Sequence, residues 1–251
     1  MQLMYPPLGQ AVMEHSSFVE DPFGRIYRSI PQIWATLLTP ERGRRGTHIR
    51  DLHRDIKGVE PSGQRYHALD PETFWWAHAT FTWEMFRSIE LYHDRQLSPV
   101  ERNGFYDDTV EWYANYGVSM RPVPADVRAF DAKFDEICHD VLAKTPAVSH
   151  ALGATRARNE ATAASPAVIR TLQARLGTDS PLVTIGPMPP IVRERLELPF
   201  SDDDAREFAA IAMRIRRTFR CVPRQINRRT LELSLRRLGS RTRASRYRPA
   251  A

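Results

Sequence analysis

The sequence predicts an all-α fold, and three observations predict it. Apolar residues recur at steps of three and four along most of the chain. Proline-bearing helix starts precede the longest of these stripes. Only one short run, residues 181–185 (PLVTI), has the β-branched character of a strand, and nothing obvious pairs with it.

The elements follow in order. After Asp21-Pro22, Ile26, Ile30, Ile33 and Leu37 form one apolar stripe. Pro31 falls inside it and is expected to kink or divide the helix, because it lacks an N–H and its ring crowds the preceding turn. Ile49, Leu52, His53 and Ile56 form a shorter stripe, closed by Gly58. Asp70-Pro71-Glu72 is a helix start, an acidic N-cap followed by proline at the first helical position. Phe74, His78, Phe81, Met85, Ile89 and Tyr92 then mark one face of a long helix that ends near Asp94. Ser98-Pro99-Val100-Glu101 reads as a capping box. Its helix carries Phe105, Thr109, Trp112 and Tyr116, with Gly117 as the stop. Residues 145–180 are Ala-rich and read either as a helix pair or as a connector. Ser201, with Asp204 three residues on, opens a helix whose inner face is Phe208, Ile211, Ile215 and Phe219. Another helix is expected after Pro223, and residues 239–251 (GSRTRASRYRPAA) read as a disordered basic tail. The organisation is a single domain over residues 1–238 and that tail.

Composition narrows the function. A chain of 251 residues buries a core without staples. Cys138 and Cys221 are too few for a disulfide framework and have no CxxC spacing, so a zinc site or redox dithiol is not expected. No apolar run is long enough to span a membrane, and MQLMYPPLGQ lacks the pattern of a signal peptide. A cytoplasmic location is therefore expected. Charge is uneven: residues 211–251 hold 13 Arg and one acid, Glu232, within a chain of net charge +6. Such a segment is either a solvated helix face with a frayed end or a binder of nucleic acid or anionic lipid.

None of the GxSxG, HExxH, P-loop or GxGxxG patterns is present. Two histidines stand on apolar faces: His53, within Arg50-x-x-His53, and His78, within ETFWWAHATFTWEMF. Such a histidine is more often a satisfied core residue, yet a dry aromatic cavity is also what iron or haem requires of an imidazole. Arg25, Arg28, Ser29 and Gln32 form a polar line beside the first stripe. It reads as a solvated face or as donors at the edge of a pocket.

The order of these motifs carries a resemblance. LMYPPLGQAVMEHSSFVEDPFGRIYRSI, IRDLHRDIKG, GQRYHALDPETFWWAHATF, LSPVERNGFYDDTVEWYANYGV and RPVPADVRAFDAKF follow one another. Over about residues 3–235 the chain resembles the rubber-oxygenase catalytic-domain family, which includes bacterial latex clearing protein and the fungal oxygenase MpaB. The resemblance implies a globin-like helical core enclosing haem b, with additional helices around it. It implies His53 as the iron ligand. Arg25, Arg28 and Ser29 fall at the spacing of the family's distal arginine, lysine and threonine. Arg28 thus replaces a lysine with a bulkier group that stays charged. Arg50 is assigned to a haem propionate or an acid, and His78 to the haem pocket or its packing shell. The family's upstream glutamate falls near Gly9, where there is no acid; Glu14 and Glu20 are nearest. Tyr5 stands where a histidine is common. The implied activity is oxygenation of a hydrophobic, isoprenoid- or polyketide-like substrate by O2. The alternatives are a non-catalytic haem- or small-ligand-binding protein on the same scaffold, and a binding module led by the Arg-rich end.

Overall fold

The computed structural model describes residues 1–161 and 167–221. The helix expected after Pro223 and the tail at 239–251 lie outside them. Among the described residues the chain is helical apart from one small hairpin. A 3-10 turn (Gln2–Met4) leads into α1 (Pro6–His15), α2 (Pro22–Leu38) and α3 (Arg42–Leu52). The hairpin pairs β1 (Lys57–Val59) with β2 (Arg65–His67), antiparallel, with Gly58 opposite Tyr66. Then come α4 (Pro71–Tyr92), α5 (Pro99–Ala114), α6 (Val127–Asp140) and α7 (Pro146–Ala161). They are followed by α8 (Ala167–Leu176), α9 (Leu182–Ile185), α10 (Pro190–Arg195) and α11 (Asp202–Cys221). No described helix is long and apolar enough to cross a membrane.

The predicted starts form as their chemistry dictates. The Asp70 carboxylate accepts from the Glu72 and Thr73 amides at the head of α4. Ser98 and Glu101 complete a reciprocal capping box at α5. Ser201 and Asp204 exchange the same kind of bonds ahead of α11. Gly117 takes φ +64°, a conformation open to glycine, just past the end of α5. The Ala-rich stretch forms the helices α7 and α8.

Four expectations are corrected. The helix bearing the Arg50–His53 motif stops at Leu52, where i→i−3 bonds from His53 to Arg50 and from Arg54 to Asp51 tighten its end. Gly58 lies in β1, so it does not close that helix. Residues 181–185 form no strand: Leu182–Ile185 is one helical turn that buries Leu182 beside Phe208. A short β-branched run has too few residues to show its period. α2 runs undivided through Pro31. Phe219 is 56% exposed rather than inward-facing, because α11 extends beyond the described elements it packs on.

α4 is the central helix, apolar on more than one face. Trp76, fully buried, stacks on Phe134 at 4.9 Å and on Tyr5 at 5.9 Å. Trp75 meets Phe130 edge-on at 6.3 Å. The Lys133 ammonium sits 4.2 Å from the centre of the Trp75 ring and donates to Glu72. A smaller cluster of Leu182, Phe208, Ile211 and Ile215 packs α9 and α11 against Leu91 and Tyr92 at the end of α4.

Candidate functional site

α2 and α3 pack on each other and are fastened to the end of α5. Gly46 of α3 approaches the α5 end so closely that a Cβ there would lie 2.1 Å from the Asn115 carbonyl oxygen. Arg50 Nη1 donates to the Gly117 carbonyl at 3.3 Å, and Arg42 pairs with Glu111 at 2.7 Å. From α2, Thr36 is fully buried. Its hydroxyl accepts from Trp112 Nε1 at 2.6 Å and donates to the Ile33 carbonyl at 2.6 Å. Asn115 Nδ2 donates to the Thr36 carbonyl at 3.3 Å. This clasp holds in one place the helix that carries Arg25 and the helix that ends at His53.

His53 caps α3 and is half-buried. Its Nδ1 lies 2.8 Å from the Ile49 carbonyl oxygen. A carbonyl only accepts, so Nδ1 carries the proton and Nε2 keeps its lone pair. Nε2 makes no hydrogen bond among the described residues. Burial holds the imidazole pKa below its ordinary value; the Ile49 bond opposes this and the Arg25 charge adds to it. The ring meets Phe74 edge-on at 5.9 Å.

Arg25 is half-buried and has no hydrogen-bond or ion-pair partner among the described residues. Burial, then the Arg28 charge, lowers its pKa. Among the described residues it is a cation without a counter-ion, near enough to His53 for its charge to act on that imidazole. On the same helix Ile26 and Ile30 are 37% and 38% exposed, although they belong to its apolar stripe. Ser29 is half-buried.

The other predicted residues stand further out. Arg28 is exposed and bonds Asp21 at 3.1 Å and Ser17 at 3.0 Å. Arg50 is engaged by Asp51 as well as by Gly117. His78 lies behind the site, with Phe74 and Tyr116 in the ring-to-ring chain from His53. It is buried, with Nε2 3.0 Å from the Thr109 carbonyl oxygen and Nδ1 without a partner. Burial pushes its pKa down to about 4, against the Thr109 bond. Beside it is a crevice with room for about one water molecule, lined by Trp75, His78, Thr82, Tyr106 and Tyr113 among others.

Gly9 is buried, and a Cβ there would lie 2.7 Å from the Leu3 carbonyl oxygen and 3.0 Å from Thr145 Oγ1. A carboxylate side chain does not fit at that position. Glu14 bonds the Tyr66 hydroxyl and Gln10, and Glu20 is exposed. Sequence reasoning missed Thr36 and Gly46. A threonine followed ten residues later by a glycine gives no period to read. No group of three or more His, Cys, Asp or Glu side chains placed to hold a metal ion exists among the described residues.

Residues 1–218 match the family model described as ER-bound oxygenase mpaB/B′/rubber oxygenase, catalytic domain. No curated protein and no solved structure matches the chain.

Proposed function

This chain belongs to the oxygenase MpaB/rubber oxygenase catalytic-domain family, and from that premise we propose that it is a haem b-dependent oxygenase acting with O2 on a hydrophobic, isoprenoid- or polyketide-like substrate. The observation that carries the reading is the tautomer of His53. Its Nδ1–H donates to the Ile49 carbonyl and its Nε2 lone pair is uncommitted. That arrangement fixes the ring and raises its basicity, as the partner of a metal-bound histidine does. The surroundings fit a porphyrin: an aromatic ring at Phe74, exposed apolar side chains at Ile26 and Ile30, and the uncompensated cation Arg25.

A bound haem b supplies a redox-active iron at which dioxygen is activated for transfer to carbon. His53 Nε2 would be the iron's protein ligand in this reading, within a globin-like helical core. Arg25 would attract an anionic oxygen such as a carboxylate, and the Ser29 hydroxyl would add a donor. Arg28, exposed on the same helix, and Arg50, which would have to exchange its Asp51 contact for a propionate, would stand at the edge of such a site. Ile26 and Ile30, exposed in the ligand-free structure, and Phe74 would line the bound group and exclude water from it. His78 is a member of the packing shell behind Phe74 and Tyr116.

Purification with haem supplied, followed by a visible spectrum, tests the proposal. A Soret band is expected from the wild type and a shifted or absent band from His53→Ala. No band, or a band unchanged by the substitution, refutes the cofactor and ligand assignment. One observation favours a second reading, a non-catalytic haem- or small-ligand-binding protein: the packing at Gly9 leaves no room for a carboxylate base. Oxygen uptake by haem-loaded protein in the presence of alkene substrates distinguishes the two.

A further inference from the structure

The apolar stripe of α11 outruns the core that it serves. Phe208, Ile211 and Ile215 are buried, whereas Phe219, next in the stripe, is 56% exposed and Met213 is 50% exposed. From Arg217 to Cys221 every side chain is exposed. Arginines surround the two apolar groups. Arg216 donates to the Glu90 and Leu91 carbonyls at the end of α4, and Arg214 lies 3.5 Å from the Leu176 carbonyl oxygen. Arg220 is 3.9 Å from Asp94, the one acid paired with this end of the helix among the described residues. Arg217 has no partner among those residues. Residues 222–251 continue with nine Arg against Glu232.

We propose that the C-terminal end of α11 docks the protein peripherally on an anionic lipid bilayer. An exposed ring and a thioether set among guanidinium groups match both layers of such a surface. Phe219 and Met213 enter the boundary between headgroups and acyl chains, and Arg217 and Arg220 face the phosphates. A nucleic-acid backbone also matches the arginines but leaves Met213 without a counterpart. The proposal does not depend on the cofactor reading.

The test is co-sedimentation of the full chain with vesicles. Phosphatidylcholine alone is compared with phosphatidylcholine mixed with phosphatidylglycerol, at low and high salt. Binding is expected only to the mixed vesicles and is weakened by salt. Arg217→Gln and Arg220→Gln should each weaken it about fivefold. Phe219→Ser should remove the portion that survives high salt. All three positions are exposed, so unchanged circular dichroism and Tm serve as the folding control. Equal binding to phosphatidylcholine, preference for single-stranded or duplex nucleic acid, or binding unchanged by all three substitutions overturns the proposal.

Discussion

Acidification should destabilise the ligand-free protein through His78 in particular. Its Nε2–H donates to the Thr109 carbonyl, and Nδ1 is a bare, buried acceptor with no room for a charge. In the unfolded chain the imidazole titrates at its ordinary 6.5, and in the folded protein at about 4. The unfolded state therefore binds more protons between those values, so stability rises with pH across that window and falls as pH drops. The gap, at about 1.36 kcal/mol per pH unit, is worth about 3 kcal/mol. Little is lost at pH 7, nearly half is lost by about pH 5.5, and nearly all by about pH 4. His78→Gln keeps a donor for Thr109 and cannot titrate. Urea unfolding of both proteins across this range isolates His78, because the other titrations cancel in the difference. The stability of wild type relative to His78→Gln should fall by about 3 kcal/mol on going to pH 4. A difference that stays flat with pH refutes the assignment of His78 as a buried neutral imidazole.

Three further outcomes are expected. Thr36→Val leaves the buried Trp112 N–H unpaired and should cost about 1–3 kcal/mol, lowering Tm by about 2–4 °C per kcal/mol in calorimetry, while Thr36→Ser stays close to wild type. Gly46→Val drives a side chain into the Asn115 carbonyl, which is backbone and cannot swing away; a loss of about 1–3 kcal/mol or more is expected in equilibrium unfolding, and unchanged stability would contradict the close approach. Arg25→Met should split two readouts. Ligand-free stability is unchanged or higher, because a half-buried cation without a counter-ion is removed, whereas haem titration shows at least about tenfold weaker binding from the lost charge-assisted contact.

Local signals made much of this fold readable. Asp70-Pro71, the capping box at Ser98 and Glu101, and the Ser201–Asp204 pair each satisfy helix-end donors within a few residues, so the sequence alone locates α4, α5 and α11. The hairpin was invisible because strands of three residues carry no period, and Gly58 reads as a stop as readily as a strand residue. Phe219 follows the stripe, and only the reach of the neighbouring described elements shows that it is left 56% exposed. The site was half legible. Arg25 and His53 were named from spacing and resemblance, but their meeting depends on the clasp of Thr36, Gly46 and Asn115 onto the end of α5, a set of contacts distant in sequence. His78 stands out among tryptophans in the sequence, but in the fold the rings packed against it are Trp112, Tyr113 and Tyr116, which are distant in sequence.

The central claim is that His53 Nε2 holds iron. Its most direct test is the visible and resonance Raman spectrum of haem-loaded His53→Gly with and without added imidazole. The account predicts that the substitution abolishes the iron–histidine stretch of the ferrous protein and that imidazole restores it, because the ligand refills the place that the side chain vacated. A spectrum identical to wild type before imidazole is added, or an iron–histidine stretch lost in His78→Gln instead, contradicts it.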